Sequence, residues 1–389
     1  KKLGIYVHIP FCKSKCEYCD FYSLGGSRDR HVTDDYLQAL ADHIKESGRL
    51  APEYVVDTVY FGGGTPSFFG AENLEKILDE IQRRFRLDAD AEITLEANPD
   101  SVTNQSLKKL LRAGFNRISI GVQSDDDEML KKLGRPHTYE QARQAVQRAR
   151  EVGFANVSVD LMYGLPNQTL TGWKETVENV LTLKPDHLSA YALRVEEGTP
   201  LWNYRDCANL PDDDRQADMY LAACRILRDY GYEHYEISNF AKPGFASRHN
   251  LKYWNLDEYL GFGPSAASDF GGKRFSAVAD LRGYIDGIRQ HGTILRECDA
   301  IPMRERAGEY VMLRLRTSLG IEEKEYETRF LMPFKPLETL LTRFQTRGYT
   351  EKLEDGRWVL TEQGWLVSNQ IIITLNEAQE RSTPLAKKR

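Results

Sequence analysis

Six short runs rich in β-branched and aromatic residues, separated by longer stretches with helical periodicity, occupy the first half of this chain and restrict its fold more than any other feature. The runs cover residues 3–9, 55–61, 92–97, 117–122, 156–161 and 187–192. Between them Leu74, Ile77, Leu78, Ile81 and Phe85 recur at helical spacing, as do Ala142, Ala145, Val146, Ala149 and Val152. Strands alternating with crossover helices form parallel sheets, and each helix buries one stripe against the sheet. The expected class is therefore α/β. Six such units are too few to close an eight-stranded barrel, so the pattern predicts a three-quarter, six-stranded, TIM-like partial barrel, open on one side. Its functional side chains are expected at the carboxyl ends of the strands.

At 389 residues the chain is too long for one ordinary core. The barrel is assigned to 1–235. Residues 236–300, rich in Gly, Asn, Tyr and Phe without a clean period, read as a loop-rich junction. Residues 301–376 read as helix, helix and a short hairpin that turns at Glu354-Asp355-Gly356. That order is winged-helix-like and predicts a smaller C-terminal α+β domain, with 377–389 as a flexible tail. Residues 300–376 hold 11 Lys or Arg against 11 Asp or Glu, and the whole chain carries a net charge of -6. Nothing in this balance suits a nucleic-acid partner, so a structural or docking role is expected for the module. No run approaches the roughly 18 apolar residues of a membrane span, and the first residues lead straight into a strand rather than a signal peptide. A cytoplasmic location is expected.

Three of the six cysteines fall within eight positions, Cys12, Cys16 and Cys19 in the spacing C-x3-C-x2-C, directly after the first strand run. Too few for a disulfide scaffold, they suggest metal ligation in a reducing compartment. The scattered Cys207, Cys224 and Cys298 read as buried apolar residues. A short loop with three thiolates can wrap a [4Fe-4S] cubane and leave one iron with an open coordination site, which the amino and carboxylate groups of a methionine can chelate. The alternative is structural zinc, with His8 completing a Cys3His tetrahedron. Phe11, Tyr18 and Phe21 are candidates to shield the metal centre.

C-x3-C-x2-C with an aromatic residue before the last cysteine resembles the signature of the radical S-adenosylmethionine superfamily. The resemblance implies a radical SAM barrel, a [4Fe-4S] cluster and S-adenosylmethionine. It also implies an electron donor such as flavodoxin or ferredoxin if the cofactor is cleaved. Further motifs narrow it: Tyr6-x-His8-Ile9-Pro10, Gly62-Gly63-Gly64-Thr65-Pro66, Glu96-Ala97-Asn98-Pro99, Gly121-Val122-Gln123 and Asp160-Leu161-x-x-Gly164-Leu165-Pro166. Their order is similar to oxygen-independent coproporphyrinogen III oxidase and its relatives. By that resemblance Tyr6, Gly63 and Glu96 contact the cluster-bound S-adenosylmethionine, and Gly64, Thr65, Gln123, Arg135 and Asp160 match positions that contact a second molecule in the oxidase. Read without it, the glycines are a tight strand-to-helix turn, Glu96 a solvated strand-end acid and Arg135 a surface charge.

The oxidase pattern continues to a fourth cysteine two positions after the third, where this chain has Phe21. The segment His249-Asn250-Leu251-Lys252-Tyr253-Trp254 instead fits H-N-x-x-Y-W, as in the heme chaperone branch of the HemW type. That resemblance implies a protein that binds heme and delivers it to hemoproteins, among them respiratory enzymes, with His249, Tyr253 and Trp254 at the heme. Imidazole is a good iron ligand and aromatic rings can wall a porphyrin. Taken alone, His249 reads as a core histidine packed by aromatics. The other readings are an enzyme that decarboxylates coproporphyrinogen III and a radical methyltransferase acting on heme.

Overall fold

The computed structural model describes residues 1–26 and 29–385. The described residues form two compact units, one within residues 1–226 and 258–299 and the other within residues 227–257 and 300–385.

In the first unit the six predicted strands are β1 (Lys2–Ile9), β2 (Val55–Gly63), β3 (Arg86–Ala97), β4 (Arg117–Gln123), β5 (Asn156–Tyr163) and β6 (His187–Ala192). They pair in sequence order and all in parallel. The free edge of β1 does not meet β6. It pairs in parallel with Tyr259–Phe262, and two antiparallel strands, Ala267–Phe270 and Lys273–Ala277, continue the sheet. The connecting helices are α1 (Arg30–Gly48), α2 (Ala71–Arg84), α3 (Asn104–Ala113), α4 (Tyr139–Val152) and α5 (Leu170–Leu181). Their starts follow from local chemistry. Thr103 with Ser106, and Thr138 with Gln141, form reciprocal capping boxes, while Gly114 and Gly153 end α3 and α4 in the left-handed region.

Alternation along each strand sorts chemistry from packing. Ile5, Val7, Val59, Phe61, Ile93, Leu95, Ile118, Ile120, Val157 and Val159 are buried, matched by Leu74, Ile77, Leu78 and Ile81 on α2 and Ala142, Ala145, Val146 and Ala149 on α4. The alternate positions are polar on every strand: Tyr6, Tyr60, Glu96, Ser119, Asp160 and Ser189. Because the registers set Glu96 beside Ser119, Gly121 beside Asp160, and Asp160 beside Ser189, these side chains share one face.

Several expectations need correction. β3 begins at Arg86, six residues early: Leu87, Ala89 and Ala91 alternate with Arg86, Asp88 and Asp90, but Asp and Ala disfavour strands, and pairing with Val55 and Val56 holds them in the sheet. Residues 236–300 are not a loop-rich junction: they contain short strands and the helices Arg248–Asn255 and Leu281–Arg289, and they divide between the two units. Strands of three to five residues are too short to show a period. In the second unit the helices Met303–Arg314 and Lys335–Gln345 precede the hairpin pairing Thr350 with Leu360 and Lys352 with Trp358. The predicted tail, 377–389, begins inside the helix Ser368–Glu380, with Gln379 buried and donating to the Arg304 carbonyl, and 386–389 lie outside the described residues. No described helix is long and apolar enough to cross a membrane.

Candidate functional site

The cysteine loop leaves β1 at Ile9 and is closed at its base. Phe11–Cys12 pairs with Leu24–Gly25, Leu24 N donates to the Pro10 carbonyl at 2.7 Å, and Glu17 N donates to the Leu133 carbonyl at 3.1 Å. Cys12 and Cys16 are buried and Cys19 is half-buried. Burial pushes the Cys12 and Cys19 thiols up. The Thr65 hydroxyl opposes this at Cys12 and the Phe21 backbone at Cys19. A bound metal would reverse the balance by favouring thiolates.

A chain of hydrogen bonds joins the loop to the strand ends. Thr65 Oγ1 donates to Cys12 Sγ at 3.4 Å, Asn98 Nδ2 donates to Thr65 Oγ1 at 3.3 Å, and Arg135 donates to Asn98 Oδ1 at 2.7 Å and to Cys16 Sγ at 3.6 Å. Arg135 also donates to the Gly121 carbonyl at 3.0 Å, and a Cβ on Gly121 would sit 3.0 Å from its Nη2. Far from being a surface charge, Arg135 is bonded to the Cys16 thiol and lies beside Tyr18. Burial pushes the Tyr18 phenol up, and the neighbouring Arg135 guanidinium opposes the shift. Asn98, which sequence reasoning passed over as part of a motif, is the hinge of this chain. Its only signal was its place between Glu96 and a proline.

The zinc alternative fails on His8. Its Nδ1 lies 3.1 Å from the Tyr6 hydroxyl and its Nε2 2.8 Å from the Tyr22 carbonyl, so both nitrogens are committed, and burial keeps the ring neutral. Gly63 lies against it: at φ 108 a Cβ there would stand 2.6 Å from the imidazole, and one on Gly64 would stand 2.8 Å from the Ile9 and Phe11 carbonyls. The glycines are thus demanded first by the packing of β2 on β1 and the cysteine loop. Phe11 is core, stacked on Phe69 at 5.1 Å, and Phe21 is 65% exposed, so neither shields the loop as expected. Cys207 and Cys298 are exposed, and of the scattered cysteines only Cys224 is buried as expected.

Glu96 accepts from Tyr60 at 2.7 Å, and Tyr60 stacks on Tyr6 with centroids 6.3 Å apart. Burial lifts the Glu96 carboxyl to about 7. The Tyr60 hydroxyl opposes the lift, and Asp160 adds to it. Asp160 accepts from Ser119 at 3.1 Å and is raised by burial, with Ser189, Ser119, Arg117 and Arg135 opposing. Gln123 ends β4 at φ 67, just past a register shift after Gly121. The structure therefore brings Tyr6, Tyr18, Gly63, Gly64, Thr65, Glu96, Gln123, Arg135 and Asp160 to the strand ends and loops of the same unit as the three cysteines. Arg135 Nε is buried without a partner among the described residues. Three thiols beside a guanidinium, with no histidine nitrogen to spare, fit an anionic iron-sulfur centre better than a four-ligand ion.

His249, Tyr253 and Trp254 belong to the second unit, on the helix Arg248–Asn255. His249 is fully buried, with Nε2 2.7 Å from the Tyr253 hydroxyl, whereas Tyr253 and Trp254 remain partly exposed.

Residues 6–180 match the Radical SAM superfamily and residues 301–367 the HemN C-terminal domain. The solved structure of coproporphyrinogen III oxidase (HemN) from Escherichia coli, a radical SAM enzyme, superposes with a TM-score of 0.84 at 25% identity, covering 96% of this chain and 90% of that one. Fold and site thus define a radical SAM protein with a HemN-type C-terminal domain, a class that implies a [4Fe-4S] cluster and S-adenosylmethionine. Among curated proteins, heme chaperone HemW of Bacillus subtilis is 36% identical over 372 residues, covering 94% of this chain and 97% of that protein. Heme chaperone HemW of Escherichia coli is 35% identical over 372 residues, covering 95% and 97%. The chain belongs to the HemW family.

Proposed function

We propose that this protein is a heme chaperone that binds heme and passes it to acceptor hemoproteins, respiratory enzymes among them. The observation that carries this reading is likeness to heme chaperones over nearly the whole chain, through both matched domains. Phe21, in place of a fourth cysteine, supports it over coproporphyrinogen oxidation.

Cys12, Cys16 and Cys19 would hold a [4Fe-4S] cluster and leave one iron open for the amino and carboxylate groups of S-adenosylmethionine. Tyr6, Gly63 and Glu96 would orient that molecule, with Glu96 accepting from ribose hydroxyls. Thr65 and Arg135 would act on the cluster side, because their hydrogen bonds already run to Cys12 and Cys16. Tyr18 excludes water beside them. Gly64, Gln123 and Asp160 complete the wall that in the oxidase meets a second S-adenosylmethionine. An electron donor such as flavodoxin or ferredoxin is required only if the cofactor is cleaved.

The test is a hemin titration of anaerobically reconstituted protein, followed by Soret absorbance, then mixing with a heme-free acceptor. Saturable binding and transfer are expected. Protoporphyrinogen formation from coproporphyrinogen III, without heme transfer, would replace the chaperone with an oxidase.

A further inference from the structure

Two hydrogen-bond donors from separate segments reach the sulfurs of the cysteine loop, and one side chain holds both. Thr65, just ahead of the short helix Pro66–Phe69, donates Oγ1 to Cys12 Sγ at 3.4 Å. Arg135, beyond the helix Asp127–Lys132, donates to Cys16 Sγ at 3.6 Å. Between them stands Asn98, the residue that follows β3. Its Oδ1 accepts from Arg135 at 2.7 Å and its Nδ2 donates to Thr65 Oγ1 at 3.3 Å. The backbone of Asn98 is tied as well. Its N donates to Ser67 Oγ at 3.0 Å, and its carbonyl accepts from Ser101 N at 3.0 Å and Ser101 Oγ at 2.8 Å. Every polar group of the residue is therefore engaged. Gly121 clears the space for this junction, since a Cβ there would stand 3.0 Å from Arg135 Nη2 and 3.7 Å from Asn98 Oδ1.

The direction of these bonds is forced by chemistry. A guanidinium has donors only, so the amide must turn its oxygen to Arg135 and present its NH2 group to Thr65. A hydroxyl that accepts from that group keeps its single proton for another acceptor, and the Cys12 sulfur is the one in reach. Replacing the amide by a group that cannot donate would free the hydroxyl to turn away from the sulfur. Hydrogen bonds to ligand sulfurs and nearby charge set the reduction potential of an iron-sulfur centre. Resting on the cluster reading above and independent of heme, we propose that Asn98 is the positioning residue that aims Thr65 at Cys12 and Arg135 at Cys16, and so makes the cluster easier to reduce. One electron from an external one-electron donor adds one negative charge to the cluster and its thiolates; no bond breaks and no proton moves. Thr65 and Arg135 stabilise that added charge through the two sulfurs, the guanidinium with a full charge of its own. Because one amide orients both, the two contacts weaken together when it is lost.

The experiment is a dithionite-poised redox titration of the full-length, anaerobically reconstituted protein, followed by electron paramagnetic resonance, with iron and acid-labile sulfide measured on each sample. Asn98→Asp keeps the shape of the side chain but cannot donate to Thr65. At full iron content it should lower the reduced fraction at a fixed potential about tenfold, a midpoint ~59 mV more negative for a one-electron couple. Asn98→Leu, which adds no charge, should move the midpoint the same way, and Thr65→Val should do so by several-fold. In the Thr65→Val background Asn98→Asp should add less than it does alone, a comparison in which the new carboxylate is present on both sides and cancels. In wild type, exchange into D2O should shift the iron-to-cysteine-sulfur stretching modes in resonance Raman, a readout that needs no variant. A purely structural Asn98 would cost stability or cluster content and leave the midpoint of the remaining cluster unmoved. An unmoved midpoint in Asn98→Asp, fully additive effects with Thr65→Val, or no D2O shift in wild type overturns the assignment alone. Wild type that takes up no iron and sulfide overturns the cluster reading with it.

Discussion

The two units each hold a histidine whose place in the sequence suggests a metal ligand, and each is bonded to a tyrosine instead. His8 sits between Tyr6 and the Tyr22 carbonyl, with both nitrogens used, under a glycine that leaves it no room to turn. His249 is as deeply buried, and its tyrosine partner, like Tyr6, is half-buried. The first pairing links β1 to the end of the cysteine loop through the Tyr22 carbonyl. The second joins two residues four apart on one helix. A histidine near a metal motif therefore says little until the other end of its hydrogen bond is known.

Four measurements can break or sharpen this contrast. The largest effect is expected from Cys16→Ser, which should abolish the [4Fe-4S] cluster in iron and acid-labile sulfide analysis while leaving hemin binding in place. Loss of both together would mean that the two regions do not act separately. Gly63→Ala comes next, because its Cβ would meet the His8 ring at 2.6 Å at a φ that side chains avoid. It should cost about 3 kcal/mol in denaturant unfolding, and an unchanged stability would show that His8 is free to move.

Glu96→Gln should weaken S-adenosylmethionine binding about tenfold at pH 8, from loss of a charged acceptor. With the Glu96 carboxyl held at about 7, it is ionised above pH 8 and protonated below pH 6. Wild-type affinity should therefore fall as the pH drops through 7, and the variant should show no such slope. The smallest effect is expected from His8→Asn, which should lose about 1 kcal/mol of stability yet reconstitute the cluster in full. Loss of iron in that variant would return His8 to the ligand set.

Much of the first unit is legible because its strands and helices repeat a period several times. Leu74, Ile77, Leu78 and Ile81 face one way on α2, and Thr103 and Thr138 mark helix starts by residue type alone. The beginning of β3 is hard to read, since Leu87, Ala89 and Ala91 alternate as a strand requires but Asp and Ala disfavour strands, and pairing with Val55 and Val56 decides the outcome. The three-residue strand Asn239–Ala241 is hidden for want of length.

The same division runs through the sites. Cysteine spacing is local, so the sequence alone decides that Cys12, Cys16 and Cys19 can share a metal centre, and residue order alone places the glycines and Glu96 at strand ends. Which atoms are left to act is decided by contacts between residues far apart in the chain. Arg135 changes from a surface charge to a partner of Cys16 because Asn98 and the Gly121 carbonyl, 37 and 14 residues away, hold it there. His249 shows the limit even within a single turn. Its spacing to Tyr253 is printed in the sequence, but the burial that withdraws the imidazole and leaves the phenol partly exposed is a property of everything packed around that helix, and only the tertiary structure sets it.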